Sequence, residues 1–347
     1  MSRSDDRALS RLGWTRAVLG DTQLTLAPAS ADASFRSYWR TYHQDRSWIV
    51  MDSPPAQEDP RPWVEIGKQL DAAGLHVPQV HAQDLQQGFL LIEDLGNRLY
   101  LGELTDTSAD TLYGDAMDAL LRIQTRMSAE GLPAYDQAFL TRELEVMPEW
   151  LLDRHLGHAL DADERAVLDD AFGIILHSAL EQPRGFVHRD FHSRNLLIVA
   201  APENRRDAER LHTPGIIDFQ GALAGPIAYD LASLLRDCYI AWEPERVEAW
   251  AVGYFERLRH TGLLDASVDR ARFLRWFDLI GLQRHIKVLG QFYRLWYRDG
   301  KPGYLADVPR VYHYVISVAR RYPELTRFVT LLERRAEGRD LTQVAAA

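Results

Sequence analysis

The chain has 347 residues, 46% of them hydrophobic, which is enough for one large hydrophobic core or two smaller ones. Its net charge of −10 argues against nucleic acid or an anionic membrane as a partner, because either would need a basic surface. A single cysteine, Cys238, excludes an internal disulfide, and no apolar run is long enough to span a bilayer. The polar N-terminal residues lack the apolar stretch of a signal peptide, so we expect a soluble, cytoplasmic protein.

The first part of the chain favours strands. Four segments there have a strand-like composition and lie between turns rich in Asp, Pro and Gly. They are Ser34–Tyr42, Ser47–Asp52, Val80–Leu85 and Gly88–Asp94. A helix is predicted over Pro62–Gly74, because an early Pro, apolar residues three to four positions apart and a terminal Gly are helix signals. Residues 1–95 are therefore expected to form a small antiparallel sheet with one helix.

From about Leu99 onward the pattern turns helical. Six segments carry apolar residues at helical spacing. They are Leu112–Met127, Phe139–Leu156, Ala162–Leu180, Val247–Gly262, Ser267–Leu295 and Val308–Arg321. Two short strands, Leu196–Val199 and Gly215–Ile217, are predicted among the helices. The polar stretch Pro202–Pro214 between these strands is predicted to be a solvent-facing hairpin tip.

The residues around these short strands carry the chemistry. Residues 187–195 read Val-His-Arg-Asp-Phe-His-Ser-Arg-Asn, so Asn195 stands five positions after Asp190. A loop of the form H-R-D-x-x-x-x-N supplies a carboxylate for a substrate hydroxyl and an amide for a metal ion. Asp218, at the end of the second strand, supplies another carboxylate for the metal and the nucleotide phosphates. Because phosphoryl transfer needs an oriented hydroxyl and neutralised phosphate charge, these residues predict a phosphotransferase. In the alternative interpretation, Asp190 and Asp218 are ordinary turn residues at strand ends.

Together these segments resemble the aminoglycoside phosphotransferase and choline kinase superfamily, which shares the protein-kinase-like fold. Three stretches, at residues 186–195, 217–222 and 225–237, are similar to one branch, the bacterial anomeric kinases of N-acetylmuramate and N-acetylglucosamine that act in cell-wall recycling. The resemblance implies an α+β, bilobal fold. Its N-lobe, residues 1–95, is a small antiparallel sheet with one helix, and its C-lobe, residues 96–347, is mostly helical. Such a fold does not by itself identify the acceptor alcohol.

The resemblance also implies roles for single residues. Asp190 is the base that accepts the proton of the sugar's anomeric hydroxyl, and Asn195 and Asp218 hold Mg²⁺ against the phosphates of ATP. Gln220 stands where protein kinases have the glycine of Asp-Phe-Gly, which suggests a metal-binding strand end without regulatory flipping. The segment Glu93-Asp94-Leu95 is the linker whose backbone pairs with adenine, with an ordinary strand-end turn as the alternative.

Two features depart from the family pattern in the nucleotide site. The segment Ala29-Ser30-Ala31-Asp32-Ala33-Ser34-Phe35 takes the place of the Gly-rich loop without containing glycine, although its small residues would still let backbone N–H groups approach phosphate. No lysine stands at the position of the phosphate clamp. Arg36 or Arg40 is the candidate replacement, because arginine makes planar bidentate contacts with phosphate. Glu65 on the predicted helix is a candidate partner for that arginine, and the alternative is that both arginines are surface strand residues.

The remaining candidates concern the acceptor sugar and the support of the loop. Aromatic rings stack on sugar C–H faces, carboxylates bind sugar hydroxyls, and an arginine suits the lactyl carboxylate of muramate. The acceptor candidates are Asp190, Glu143, Trp150, His192, Gln220, Arg236 (for the carboxylate) and Asp237, with Glu149, His285 and Lys287 as further possibilities. Loop support is predicted for His188, Arg189 and Asp230. A core position for Trp150 and a structural role for His192 are the alternatives.

Three functions remain open at this stage. The first is an ATP- and Mg²⁺-dependent kinase of N-acetylmuramate and N-acetylglucosamine that makes the α-1-phosphates. The second is the same chemistry on an aminoglycoside, choline or another small alcohol. The third is a catalytically silent nucleotide-binding module, which the missing lysine and glycines favour and the retained Asp190, Asn195 and Asp218 oppose. The predicted partners are a sugar and a nucleotide; the oligomeric state is open, and a monomer is compatible with the sequence.

Overall fold

A computed structural model describes residues 3–31, 35–199, 211 and 213–343. The α-helices of these ranges are α1 (Arg3–Leu19), α2 (Arg61–Ala72), α3 (Tyr100–Glu103), α4 (Ala109–Arg126), α5 (Gln137–Leu144), α6 (Ala162–Leu180), α7 (Tyr229–Leu235), α8 (Pro244–Arg259), α9 (Arg270–Asp299), α10 (Val308–Ala319) and α11 (Thr326–Ala336). The strands are β1 (Ala27–Ala31), β2 (Ser37–His43), β3 (Arg46–Asp52), β4 (Val80–Asp84), β5 (Phe89–Glu93), β6 (Arg184–Val187), β7 (Leu196–Leu197), β8 (Gly215–Ile216) and β9 (Leu223–Pro226). A π-helix covers Pro148–His155, and short 3₁₀-helices cover Pro302–Asp307 and Pro323–Leu325.

The chain forms two compact units. The first comprises Met1–Ser108 and Arg194–Gly221, and the second comprises Ala109–Ser193 and Ala222–Ala347. The first contains a five-stranded antiparallel sheet and the second is mostly helical, so the predicted α+β class is confirmed. The predicted lobes divide the chain once, after residue 95, whereas the first unit continues to Ser108 and also takes up residues 194–221. It also contains α1 and α3 in addition to the single predicted helix.

The sheet of the first unit has the strand order β1-β2-β3-β5-β4. Its central pair, β3 and β5, aligns Ile49 with Ile92 and Val50 with Leu91. These side chains are buried, which explains why both strands read as continuous apolar runs rather than alternating ones. Strand β1 was not predicted, because its sequence Ala-Pro-Ala-Ser-Ala lacks the branched and aromatic residues typical of strands.

Helix α1 is held to the sheet mainly by charge. Arg7 and Arg11 both form ion pairs with Asp52 at the end of β3, at 2.6 and 2.7 Å, and the Asp52 carboxylate is almost fully buried. The Arg11 guanidinium also lies 3.8 Å from the centre of the Trp39 ring. A helix that docks through arginines lacks a strong apolar stripe, and the periodicity of the sequence therefore missed it.

Helix α9 is the central element of the second unit. Asp269 caps its start by accepting a hydrogen bond from the Arg272 N–H at 2.8 Å, and Gly300 ends it in a left-handed conformation at φ 65°. Its middle turns, residues 276–286, are buried on all sides, and the helix packs against α6, α7, α8 and α10. Side chains from these middle turns therefore lie inside the second unit rather than on its surface.

Two predicted segments differ from the observed elements. The predicted helix Phe139–Leu156 is divided into α5 and the π-helix that begins at Pro148, because proline lacks the N–H that would continue an α-helix. The predicted hairpin tip at Pro202–Pro214 lies largely outside the described residues. Among the described helices, none combines the length and apolar character needed to cross a membrane.

Gly290 marks a close approach of α9 to the chain that leads into the π-helix. A Cβ atom built there would lie 2.4 Å from the carbonyl of Val146 and 2.5 Å from the backbone nitrogen of Met147. We expect Gly290→Ala to lower the free energy of unfolding by about 2 kcal/mol, since the clash is with backbone that cannot rotate away. Gly281→Ala on the same helix is the control, because its Cβ would meet Ala232 at an ordinary 3.5 Å. Urea unfolding measures both, and equal stability of the two variants would contradict the prediction.

Candidate active site

The predicted metal ligands meet in the first unit through a short two-stranded sheet. Strands β7 and β8 pair Leu196 with Ile216, and the Ile217 N–H donates to the Asn195 carbonyl at 3.1 Å. This pairing places the Asn195 side-chain amide 3.4 Å from the Asp218 carboxylate. The two residues predicted to hold Mg²⁺ therefore lie side by side in this unit, and their binding of the ion stays a prediction.

Asp218 adopts a left-handed backbone conformation, with φ 63°. Such a conformation is unfavourable for a residue other than glycine and occurs often at functional sites. The next residue, Phe219, is buried against α2, where the centre of its ring lies 5.1 Å from that of Trp63. The ring also packs closely on Gly67 of α2, where a Cβ atom would lie only 3.2 Å from it. This packing fixes the turn, while one third of the Asp218 side chain stays exposed to solvent.

Arg36 lies beside Asp218, the carboxylate predicted to bind the metal. Its Nη2 atom is 3.2 Å from Asp218 Oδ1 and its Nε atom is 3.3 Å from Glu58 Oε1, with only 5% of the arginine side chain exposed. The predicted partner Glu65 is exposed on α2, and sequence reasoning missed Glu58 because it lies in the loop before that helix. Gln220, predicted to bind the acceptor, donates to Asp218 Oδ1 at 2.7 Å.

Arg40, the other candidate clamp, is occupied by the linker. Its Nε and Nη2 atoms donate to the two carboxylate oxygens of Asp94 at 2.6 and 2.9 Å, and Nη2 also donates to Asn97 at 2.7 Å. Burial raises the pKa of Asp94, but the hydrogen bonds from Arg40, the Gly96 N–H and Ser47, together with the charge of Arg40, lower it overall. The linker thus begins on a fixed ion pair, and sequence reasoning did not foresee this use of Arg40.

The other predicted nucleotide contacts lie in the linker and at the end of β1. Glu93 forms an ion pair with His76 at 3.2 Å, and Leu95 is almost fully buried. Ser30 and Ala31 end β1, whereas Asp32, Ala33 and Ser34 lie outside the described residues. For the linker and for this loop, the predicted contacts with the nucleotide stay predictions.

In the second unit, two carboxylates hold the predicted catalytic loop, the segment around Asp190. Asp230 on α7 accepts hydrogen bonds from the backbone N–H groups of His188 and Arg189 at 2.6 and 3.0 Å. Asp237, just after α7, accepts from the backbone N–H and the hydroxyl of Ser193 at 2.9 and 2.5 Å. The loop is therefore anchored on both sides of Asp190. These contacts of Asp230 are the kind expected of a residue that supports the loop. Asp237 was predicted to bind the acceptor, whereas its oxygens here contact the loop.

The charges around Asp190 favour its ionised form. Burial raises the pKa of this carboxyl, but the positive charges of Lys287, His192 and Arg189 lower it to about 2. Burial raises the pKa of the Asp230 carboxyl to about 7, although its two N–H donors lower it. Arg189 has a left-handed backbone at φ 76°, a second unfavourable conformation beside a predicted functional group.

A buried polar cluster lies around Glu143. Its carboxylate is 3.0 Å from both the Arg189 Nη2 and the Lys287 Nζ atoms, and it accepts hydrogen bonds from Tyr135 and from Gln283. Burial raises the pKa of Glu143, but Lys287 and Arg189 lower it overall. Glu143 was predicted to bind sugar hydroxyls, whereas its oxygens here contact the cations that surround Asp190. Its partner Lys287 is 144 positions away in the chain, and no sequence signal links the two.

The remaining acceptor candidates are mostly buried. Arg236 forms an ion pair with Asp278 at 2.5 Å, and Trp150, on the π-helix, lies 4.6 Å from the Arg154 guanidinium. His192 is buried with its ring edge-on to Tyr239 at 5.6 Å. His285 bonds through Nε2 to the Arg236 carbonyl at 2.8 Å, and burial lowers its pKa to about 3, so it donates as a neutral ring. Contact of any of them with an acceptor stays a prediction.

Comparison with known proteins identifies the family. A model of the phosphotransferase enzyme family matches residues 25–270, more than half of the chain. The chain belongs to this family. It is 46% identical to the N-acetylmuramate/N-acetylglucosamine kinase of Pseudomonas aeruginosa over 314 residues, covering 90% of this chain and 89% of that relative. A relative of the same name from Neisseria meningitidis is 38% identical and the match covers 94% and 95% of the two chains. The predicted superfamily, branch and enzyme class are confirmed.

Solved structures of the superfamily share the fold. A thermostable mutant of aminoglycoside phosphotransferase APH(4)-Ia in its apo form matches with a TM-score of 0.58 at 16% identity, covering 90% of this chain and 99% of that one. An ethanolamine kinase from Plasmodium vivax matches with a TM-score of 0.60 at 10% identity, covering 89% and 87%. The predicted kinase-like bilobal fold is thus confirmed.

Proposed function

We propose that this protein transfers the terminal phosphoryl group of ATP to the anomeric hydroxyl of N-acetylmuramate and N-acetylglucosamine, giving the α-1-phosphates in cell-wall recycling. The observation that carries the proposal is the anchored loop around Asp190, whose backbone Asp230 and Asp237 bind from both sides. The names of relatives that match nine tenths of the chain support the choice of acceptors. Because ATP is supplied in the cytoplasm, a cytoplasmic location is part of the same proposal.

The residues of the second unit orient and deprotonate the acceptor. Asp190 accepts the hydrogen bond of the anomeric hydroxyl and then its proton, so that the oxygen attacks the phosphorus in line. Burial raises the pKa of Asp190, but the positive charges around it lower the pKa overall, so the group is an ionised carboxylate that can accept this hydrogen bond. In a loose transition state the attacking oxygen gains little positive charge before the phosphoryl group arrives, so orientation of the hydroxyl matters more than the strength of the base.

The residues of the first unit fit a magnesium ion. Mg²⁺ is usually bound by one or two protein oxygen ligands together with phosphate oxygens and water, and Asn195 and Asp218 supply such a pair. When bound, the ion neutralises charge on the ATP phosphates. Arg36 is the better candidate for the phosphate clamp, because it lies 3.2 Å from the proposed metal ligand Asp218, whereas Arg40 is bound to Asp94 and Asn97 of the linker region. The segments Ser30–Ser34 and Glu93–Leu95 remain the proposed contacts for phosphate and adenine.

The direct test is ADP release from ATP and Mg²⁺ by the purified protein. The acceptors to compare are N-acetylmuramate, N-acetylglucosamine, glucose, choline and kanamycin. Turnover confined to the two N-acetyl sugars, with an acid-labile phosphate at C1 of the product, is the expected result. Turnover on choline or kanamycin would replace the proposed acceptor, and ATP binding without turnover on any of the five would favour a silent nucleotide-binding module.

Asp218→Asn is expected to weaken Mg²⁺-dependent nucleotide binding by at least about tenfold, because it removes the charged metal ligand while keeping the side-chain shape. Asparagine tolerates the left-handed backbone at this position, so the turn should persist. Calorimetric titration with a non-hydrolysable ATP analogue, with and without Mg²⁺, measures the effect. Asp45→Asn is the matched control, since Asp45 is an exposed aspartate of the same unit with φ 61°. Equal Mg²⁺-dependent affinity in both variants would contradict the metal assignment.

A further inference from the structure

Arg284 is a buried cation that the described residues leave without a carboxylate partner. It lies in the middle of α9, is 4% exposed, and donates through Nη1 to the Cys238 sulfur at 2.9 Å. Other buried arginines of the chain are neutralised by a nearby acid, as Arg236 is by Asp278 at 2.5 Å and Arg11 by Asp52 at 2.7 Å. Arg284 is therefore unusual among them.

The sulfur atom does not compensate this charge. Burial raises the pKa of the Cys238 thiol, so at neutral pH the group beside Arg284 is an uncharged SH. Asp190 and Asp237 act on Arg284 only over a longer distance, and the Asp237 oxygens accept hydrogen bonds from Ser193 and Tyr239. Burial lowers the pKa of Arg284, but the negative groups around it, among them Asp237 and Asp190, raise it overall, so the guanidinium stays charged. A charged guanidinium whose N–H donors are not all paired inside the protein is a favourable place for an anion to bind.

Two nitrogens of the guanidinium keep unused hydrogen-bond donors. The Nε and Nη2 atoms of Arg284 have no hydrogen-bond partner among the described residues. Unlike Arg236 Nη1 and Arg189 Nε, which are unpartnered and sealed from solvent, these two atoms are not completely sealed. Two N–H donors in the guanidinium plane are thus available to an incoming group, and this is the geometry that binds a carboxylate through both oxygens.

We propose that Arg284 binds the lactyl carboxylate of N-acetylmuramate and so distinguishes this acceptor from N-acetylglucosamine, which carries no carboxylate. The proposal rests on the proposed function and adds the residue that selects between its two substrates. Arg236, the candidate from the sequence, is already neutralised by Asp278, which also accepts a hydrogen bond from Tyr322 at 2.7 Å. Cys238, which Arg284 contacts, directly follows Asp237, and the Asp237 carboxylate binds Ser193 in the loop around Asp190, so Arg284 lies near that loop in the same unit.

The first experiment compares the two sugars in Arg284→Gln. We expect kcat/KM for N-acetylmuramate to fall about 10- to 100-fold, mostly through KM, because a charge-assisted hydrogen-bonded contact is lost. For N-acetylglucosamine, kcat/KM should change much less. Arg298→Gln is the matched control, since Arg298 lies on the same helix with its side chain about half exposed. An equal loss on both sugars, or no loss on either, would overturn the proposal.

A second experiment does not depend on how well the variant folds. In the unsubstituted protein, the methyl ester of N-acetylmuramate should lose most of the kcat/KM that the free acid has, because the ester carries no charge. In Arg284→Gln, acid and ester should be equivalent. Equal kcat/KM for acid and ester in the unsubstituted protein would overturn the carboxylate contact. It would not overturn the proposed function, as long as the protein phosphorylates both N-acetyl sugars. Failure of the unsubstituted protein to phosphorylate either sugar would instead overturn the proposed function itself.

Discussion

Asp190→Asn is expected to lower kcat on either N-acetyl sugar by about 10²- to 10⁴-fold while ATP binding is nearly unchanged. The amide keeps the shape of the side chain and can still accept a hydrogen bond, but it cannot take the proton of the anomeric hydroxyl. Steady-state ADP release gives kcat, and calorimetric titration of an ATP analogue gives the binding. Asp190→Ala should lose at least as much, because the orienting hydrogen bond is also removed.

The same variant has an expected dependence on pH. The pKa of Asp190 in the folded protein is about 2, below the ordinary value of 3.8, because the cations around it outweigh its burial. Its charge therefore stabilises the fold above pH 4, and this contribution is lost as the pH falls from about 4 to 2. Asp190→Asn should melt below the unsubstituted protein at pH 7, and the difference should shrink as the solution is made acid.

Asp170→Asn separates these effects from a general change of charge. Asp170 lies on α6 of the same unit and its side chain is exposed. This control should keep the kcat and the melting temperature of the unsubstituted protein. Near-normal turnover of Asp190→Asn would remove the assigned base, and an identical loss in both variants would show that the effect is not local to the loop.

Short-range signals were sufficient for the catalytic segments. The apolar runs at Leu196 and Gly215 predicted two short strands, and their pairing accounts for the meeting of Asn195 with Asp218. Helix α6 begins and ends at the predicted residues, because an Asp161–Glu164 capping box reinforces the apolar period. In these cases the information lies within a few residues of the element itself.

Partners that are distant in the chain could not be predicted. Nothing near Glu143 indicates that Lys287 would neutralise it, and nothing near Arg36 indicates Glu58 rather than Glu65. Such pairs are set by tertiary packing, which brings together residues without a shared local pattern. The unpredicted helix α1 has the same cause, because its arginines dock on Asp52, a residue of a strand more than 40 positions away.

Asp230→Ala is expected to lower the free energy of unfolding by about 3 kcal/mol and to abolish most turnover. The carboxylate of Asp230 accepts the backbone N–H groups of His188 and Arg189, and its removal leaves both donors without that acceptor inside the protein. An unsatisfied buried donor costs about 1–3 kcal/mol. Urea unfolding measures the stability, and ADP release well below the melting temperature measures the activity of the molecules that remain folded.

Ser233→Ala is the control for this effect on the same helix. Ser233 is as buried as Asp230, but its hydroxyl has no hydrogen-bond partner among the described residues, so its removal should be neutral or slightly stabilising. A loss of stability in Ser233→Ala equal to that in Asp230→Ala would mean that α7 simply tolerates no change. In Asp230→Ala, the loop would still be held by the hydrogen bonds that Asp237 accepts from Ser193. Normal turnover by the folded variant would therefore mean that Asp237 alone is enough to position Asp190.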